Sequence, residues 1–79
     1  MENIFETLGE IIKPVNTYTF KISHDGIIKK EFNNCQSDTL PFGWLLRNQS
    51  NSTHWAIKYE GWKVEEINEQ TGESTFWNP

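Results

Sequence analysis

The sequence predicts a small α+β domain in which one N-terminal helix packs on a twisted, mostly antiparallel sheet of about five to six strands built from hairpins. Three observations carry that expectation. An apolar stripe at helical spacing opens the chain, period-2 alternation recurs through most of the remaining residues, and Asp25-Gly26, Glu60-Gly61 and Thr71-Gly72 punctuate the alternating runs as turns. A length of 79 residues makes one domain over 1–79, with a single modest core.

Ile4, Phe5, Leu8, Ile11 and Ile12 recur at i, i+1, i+4, i+7 and i+8, one face of an α-helix, with Asn3 and Glu6 spaced as a capping box and Lys13-Pro14 as the stop. Gly9 costs such a helix about 1 kcal/mol relative to alanine, so the helix depends on packing against a sheet. Its polar face carries Glu2, Glu6 and Glu10, which anionic lipid repels, and this argues against a membrane-surface role. A homodimer interface is the second use open to the stripe.

Residues 16–23 read as a strand with Tyr18, Phe20 and Ile22 on one face, and residues 27–33 as the next, with Ile28 and Phe32 on its apolar face. A two-residue Asp25-Gly26 loop would oppose Phe20 to Glu31 and Ile22 to Lys29. A three-residue loop opposes Ile22 to Ile28 and Tyr18 to Phe32, and this better match predicts a type I turn over His24-Asp25 with Gly26 as a left-handed bulge. Lys30 would then pack its stem among apolar neighbours and reach water with its ammonium. Residues 34–40 read as a polar loop. Phe42, Trp44 and Leu46 alternate and predict a short strand over 41–46, and residues 48–53 form a second polar loop.

The stretch 55–77 holds three of the four tryptophans. Trp55, Ile57 and Tyr59 alternate with Ala56 and Lys58, Trp62 and Val64 alternate with Lys63 and Glu65, and Glu60-Gly61 between them reads as a hairpin loop pairing Tyr59 with Trp62. Residues 68–73 are a second turn and 74–77 the returning strand, which completes a three-stranded meander. Within it, the spacing of Asn68, Thr71, Ser74, Phe76 and Pro79 resembles the last third of a WW domain, over about a dozen residues. Phe76 stands where that family has its second tryptophan, and Glu65 and Glu66 fall near its paired tyrosines. The resemblance implies a hairpin geometry and, as one alternative function, a groove for proline-rich peptides on the C-terminal meander.

Composition narrows the function classes. A net charge of −4, with six lysines and Arg47 as the one arginine, supplies no basic run to replace the counterions of duplex DNA. A lone Cys35 builds no internal disulfide framework and fits a reducing, cytoplasmic setting. The opening residues carry Glu2 and Glu6 without a basic region or a long apolar run, so neither a signal peptide nor a membrane span is expected. A nucleophilic Cys35 would need His24 or His54 as base, and no motif joins them, so no enzyme is expected. Cys35, His24, His54, Asp25 and Asp38 show no metal-ligand spacing, and no glycine-rich phosphate loop occurs, so neither metal nor cofactor is expected.

Eleven aromatic residues remain, and four indole N–H groups are hard to satisfy in so small a core, so one or two tryptophans should reach the surface. The expected contact set for a partner protein is Trp77, Trp62, Trp44 and Phe76, with Glu69 and Glu73 from an acidic rim. Trp77, near the end of an expected edge strand, leads it. The function expected is a non-enzymatic protein-binding domain, a small acidic regulator or an inhibitor of the phage type, the last by analogy of size and charge. Single-stranded nucleic-acid binding through Trp44, Arg47, Trp55 and Lys58 is the other alternative.

Overall fold

The computed structural model describes residues 16–78, and the predicted helix over 4–12 lies outside them. The described residues form four strands and two helices: β1 (Tyr18–His24), β2 (Ile27–Cys35), α1 (Thr39–Arg47), α2 (Thr53–Tyr59), β3 (Trp62–Asn68) and β4 (Ser74–Phe76). The strands make one antiparallel sheet in the order β2-β1-β3-β4, in place of the expected five or six. The α+β class and the antiparallel sheet are as the sequence predicts. The chain is spent differently: two segments expected as strands are helices.

The β1–β2 loop has two residues, not three. His24 pairs with Ile27, and Asp25 and Gly26 take φ of 52° and 86°, the left-handed pair that a type I′ turn requires. The register then slips, because Ser23 faces Ile28 while Ile22 faces Lys30, and a second shift separates Phe20 opposite Phe32 from Tyr18 opposite Cys35. Matching apolar partners across β1 and β2 therefore misreads the hairpin. β2 is exposed along most of its length, Lys30 included, and the Lys30 ammonium stands 5.3 Å from the Phe32 ring centre. The pairing that buries side chains is β1 with β3, where Ile22 faces Val64 and His24 faces Trp62.

Thr39–Arg47 overturns the predicted loop and strand. Pro41 lies in the first turn of α1, where no intrahelical donor is missed, and Pro41 and Leu45 are buried one turn apart. The alternation of Phe42, Trp44 and Leu46 is too short to define a period: in the helix Trp44 turns inward while Phe42 and Leu46 stay exposed. Asn48 closes the helix, its amide side chain donating to the Trp44 carbonyl at 2.8 Å.

Thr53–Tyr59 overturns the first strand of the expected meander. Ser52, in extended conformation, caps α2 by accepting from the Trp55 N–H at 3.2 Å. At the other end Gly61, with φ of 80°, is the left-handed residue that ends a helix, not the second residue of a hairpin loop. A Cβ there would overlap Asp25 Oδ1, and the Gly61 carbonyl accepts from the Asp25 N–H at 3.0 Å, so the glycine also lets the two turns touch. The β3–β4 turn is where the sequence puts it. Asn68 Oδ1 accepts from the N–H groups of Gln70 and Thr71, Gly72 takes φ of 80°, and Ile67 pairs with Ser74.

One face of the sheet carries the core. Phe20 and Ile22 of β1, Val64 and Trp62 of β3 and Cys35 at the end of β2 pack with Leu45 of α1 and Ala56 of α2. Tyr18, Phe32, Trp44, Ile57 and Trp77 close its margins. On the other face Lys21 stands opposite Glu31 on one side and Glu65 on the other, complementary cross-strand neighbours on a polar surface.

Candidate protein-binding surface

The capped start of α2 and its three-to-four-residue period set Trp55 and Tyr59 on the same side of the helix, away from Ala56. They are 48% and 60% exposed, their ring centres lie 4.6 Å apart, and the Lys58 ammonium stands 5.6 Å from the Tyr59 ring. The result is an aromatic pair with a cationic neighbour, ordered against itself and unused by the core. Lys58 also borders a groove of about 440 Å³ whose other walls include Lys63, Trp62, Phe76 and Trp77.

The residues expected to touch a partner fall into three groups. Trp62 is buried, its ring stacked on His24 with centres 4.3 Å apart and met edge-on by Trp44 at 6.2 Å. His24 is fixed by donating through Nε2 to the Glu60 carbonyl at 2.9 Å. Trp44 is half-buried in the same cluster and so presents only part of its ring, and Arg47 is exposed at the end of α1. The single-stranded nucleic-acid platform is thus divided, with Trp55 and Lys58 outside and Trp44 committed inward.

Trp77 and Phe76 split between the two sides of the last strand. The Trp77 N–H donates to the Val64 carbonyl at 3.0 Å, its ring meets Phe20 edge-on at 6.0 Å, and its indole N–H donates to Glu66 Oε1 at 3.0 Å. It is a fixed, half-buried wall whose polar atom is already satisfied. Phe76 faces the other way and is 59% exposed.

Glu69 uses its carboxylate inside the domain. Oε1 accepts from Thr17 Oγ1 at 2.7 Å, and Oε2 accepts from Thr19 Oγ1 at 2.7 Å and from the Asn34 N–H at 2.9 Å. These bonds, that from Thr19 first, hold its carboxyl below the usual carboxylate range. Glu73 is exposed, and its carbonyl accepts from the Asn68 N–H at 2.8 Å.

The chemistry-bearing side chains are dispersed. Cys35 is 6% exposed, its thiol donates to the Asn33 carbonyl, and burial, with the Glu69 charge adding to it, pushes the thiol pKa up. Among the described residues no three His, Cys, Asp or Glu side chains gather as a metal site, and no helix is long and apolar enough to cross a membrane.

Trp55 and Tyr59 as a surface pair, and Phe42, Thr53, His54 and Ile57 as the lining of a second groove of about 430 Å³, escape the sequence reading. Ser52 three residues before Trp55, with aromatics at i and i+4, is the signal that could have found them. The chain matches no family model, no curated protein and no solved structure.

Proposed function

We propose that this protein is a non-enzymatic binding domain, a small acidic regulator or inhibitor that acts by occupying the surface of a partner protein through the outer side of α2. The observation that carries the proposal is the Trp55 and Tyr59 pair, two large rings held together on an exposed helical face with no role in the core. Large aromatics that are already ordered lose little rotamer freedom on binding, and Trp and Tyr are the commonest energetic anchors of protein interfaces. Lys58 and Lys63 border the adjoining groove, and they favour a partner with an acidic patch there despite the protein's net charge of −4.

The test is capture of a partner from nuclease-treated lysate by the wild type and by Tyr59→Ala, followed by calorimetry with the purified partner. Tyr59 is exposed apart from its contact with the Trp55 ring, so its truncation should cost stability about 1 kcal/mol and leave the domain folded. As a central anchor it should weaken binding by about 2 kcal/mol, roughly 30-fold. Equal affinity of both forms removes α2 from the interface. Capture that disappears on nuclease treatment transfers the exposed Trp55 and Lys58 to the single-stranded nucleic-acid reading.

A further inference from the structure

We infer that the free edge of β4 takes up an extended acidic segment of a partner protein as an added antiparallel strand, with two successive carboxylates received by Lys58 and Lys63. The inference rests on the protein-binding reading of the adjoining α2 surface and names the form the partner takes beside it. The Trp77 N–H donates to the Val64 carbonyl and the Glu73 carbonyl accepts from the Asn68 N–H, so residues 73, 75 and 77 turn their backbone groups toward β3. Ser74 and Phe76 therefore turn theirs outward, where among the described residues no further strand lies.

The two rims of the sheet differ. β2 carries two register shifts and two lysines, whereas β4 pairs with β3 without a shift and holds neither proline nor charge among Ser74, Thr75 and Phe76. The groove of about 440 Å³ straddles the end of that second rim. Ile57, Lys58, Trp62 and Trp77 border it on the helix side of the sheet, and Lys63 and Phe76 on the other. Successive residues of a strand point to opposite faces, so an added strand meets Lys58 with one side chain and Lys63 with the next. It would run roughly 10 Å from β3, a gap that a lysine and a glutamate side chain bridge between them.

The surrounding charges set the direction of the segment. Both lysines are exposed, and among the described residues no carboxylate lies within ion-pair distance of either. Of the acidic groups nearby, Glu60 accepts from the Asn51 side chain and Glu66 from the Trp77 indole. Glu65 stands opposite Phe76 and also opposite Lys21, and Glu73 lies just ahead of β4. Carboxylates are thus favoured at the Asn78 end of the rim and opposed at the Glu73 end. An antiparallel strand brings its N-terminal residues to the Asn78 end, so the acidic pair comes first and an apolar residue follows against the exposed Phe76 ring. The net charge of −4 does not forbid this, because charges more than about 8 Å away are screened at physiological salt.

Amide-resolved NMR of the full-length protein with the capped peptide Glu-Glu-Val-Val-Thr-Val tests it. In the free protein the Phe76 amide should exchange as fast as in an open chain, and protection there, whether from residues 1–15 or from a second copy, overturns the inference. Saturating peptide should slow exchange at Ser74 and Phe76 about tenfold and give NOEs between its second valine and Phe76 in antiparallel register. Replacing both glutamates of the peptide by lysine, or Lys63→Glu in the protein, should weaken binding about tenfold. N-methylation of the second valine, which removes its backbone donor and keeps its charge, should abolish binding. Equal binding of the N-methylated or the lysine peptide, or no binding of the acidic one, overturns the inference. Tyr59 does not border the groove, so this peptide reads the edge alone and the Tyr59→Ala capture reads α2 alone.

Discussion

Replacing Trp62 and Trp55 by alanine, one at a time, separates the helical assignment of residues 53–59 from the strand that alternation predicts. In a meander both tryptophans share one face and both truncations empty the core. In the structure Trp62 is 9% exposed and Trp55 48%, so the same deletion removes very different amounts of packing. Loss of the Trp62 ring takes away its stack on His24 and its edge contact with Trp44 and leaves a cavity beside Val64, at a cost of about 3–5 kcal/mol. Trp55 gives up half of a ring's burial and its contact with Tyr59, about 1–1.5 kcal/mol. A domain of this size holds little more than about 5 kcal/mol in total, so Trp62→Ala should leave a substantially unfolded population. Trp62→Phe, which retains a stacking ring, should still show a cooperative transition about 1–2 kcal/mol below wild type. Urea unfolding followed by far-ultraviolet circular dichroism reads the series. Equal costs at the two positions, or a larger cost at Trp55, would refute the helical placement and return Trp55 to the sheet.

Gly61→Ala forces a Cβ into the left-handed region and against Asp25, and should cost about 1–2 kcal/mol, seen as a Tm about 5–15 °C lower; an unchanged Tm would mean that Gly61 does not need its positive φ. Ser52→Ala removes the α2 cap and should cost about 1 kcal/mol, with faster amide exchange at Trp55. The native Glu69 carboxyl titrates below its unfolded value, so its contribution is present above the usual carboxylate pKa and is lost as pH falls through the lower native one. Glu69→Gln should therefore flatten the acid limb of stability against pH in that window, measured by urea unfolding at a series of pH values, and a limb of unchanged slope would remove Glu69 as its source.

The sequence is most legible where local chemistry and burial agree. Tyr18, Phe20 and Ile22 alternate and share the buried side of β1, Trp62 and Val64 do the same on β3, and Asn68 with Gly72 closes the last hairpin as its residue types demand. It misleads where a period-2 run is only three apolar residues long. Phe42, Trp44 and Leu46 fit a strand as well as they fit one turn of helix, and only the i, i+4 burial of Pro41 and Leu45 decides. Trp55, Ile57 and Tyr59 have the same ambiguity, and there the signal lay outside the run, in Ser52 before it and Gly61 after it. The candidate surface was lost with that assignment, since a strand would have buried the two rings that the helix presents. The inward turn of Trp77 was illegible for another reason. Glu66 and Phe20 face it across the sheet, and neither lies near it in sequence.

The two irregularities of β2 bear on how the sheet behaves in a crowded solution. Among the described residues β2 has a neighbour on one side only, and its nine residues, Ile27 and Ile28 exposed among them, are long enough to recruit a stranger's backbone. The slip after Ile28 and the second one before Cys35 break that rim into short pieces of differing twist, and Lys29 and Lys30 add charge in the middle. An incoming strand would have to copy both kinks and tolerate the ammonium groups to lengthen the sheet. The imperfect pairing inside the hairpin is therefore a guard against fibrous self-association, and straightening the rim by deleting Lys29 should make the protein more prone to precipitate on concentration.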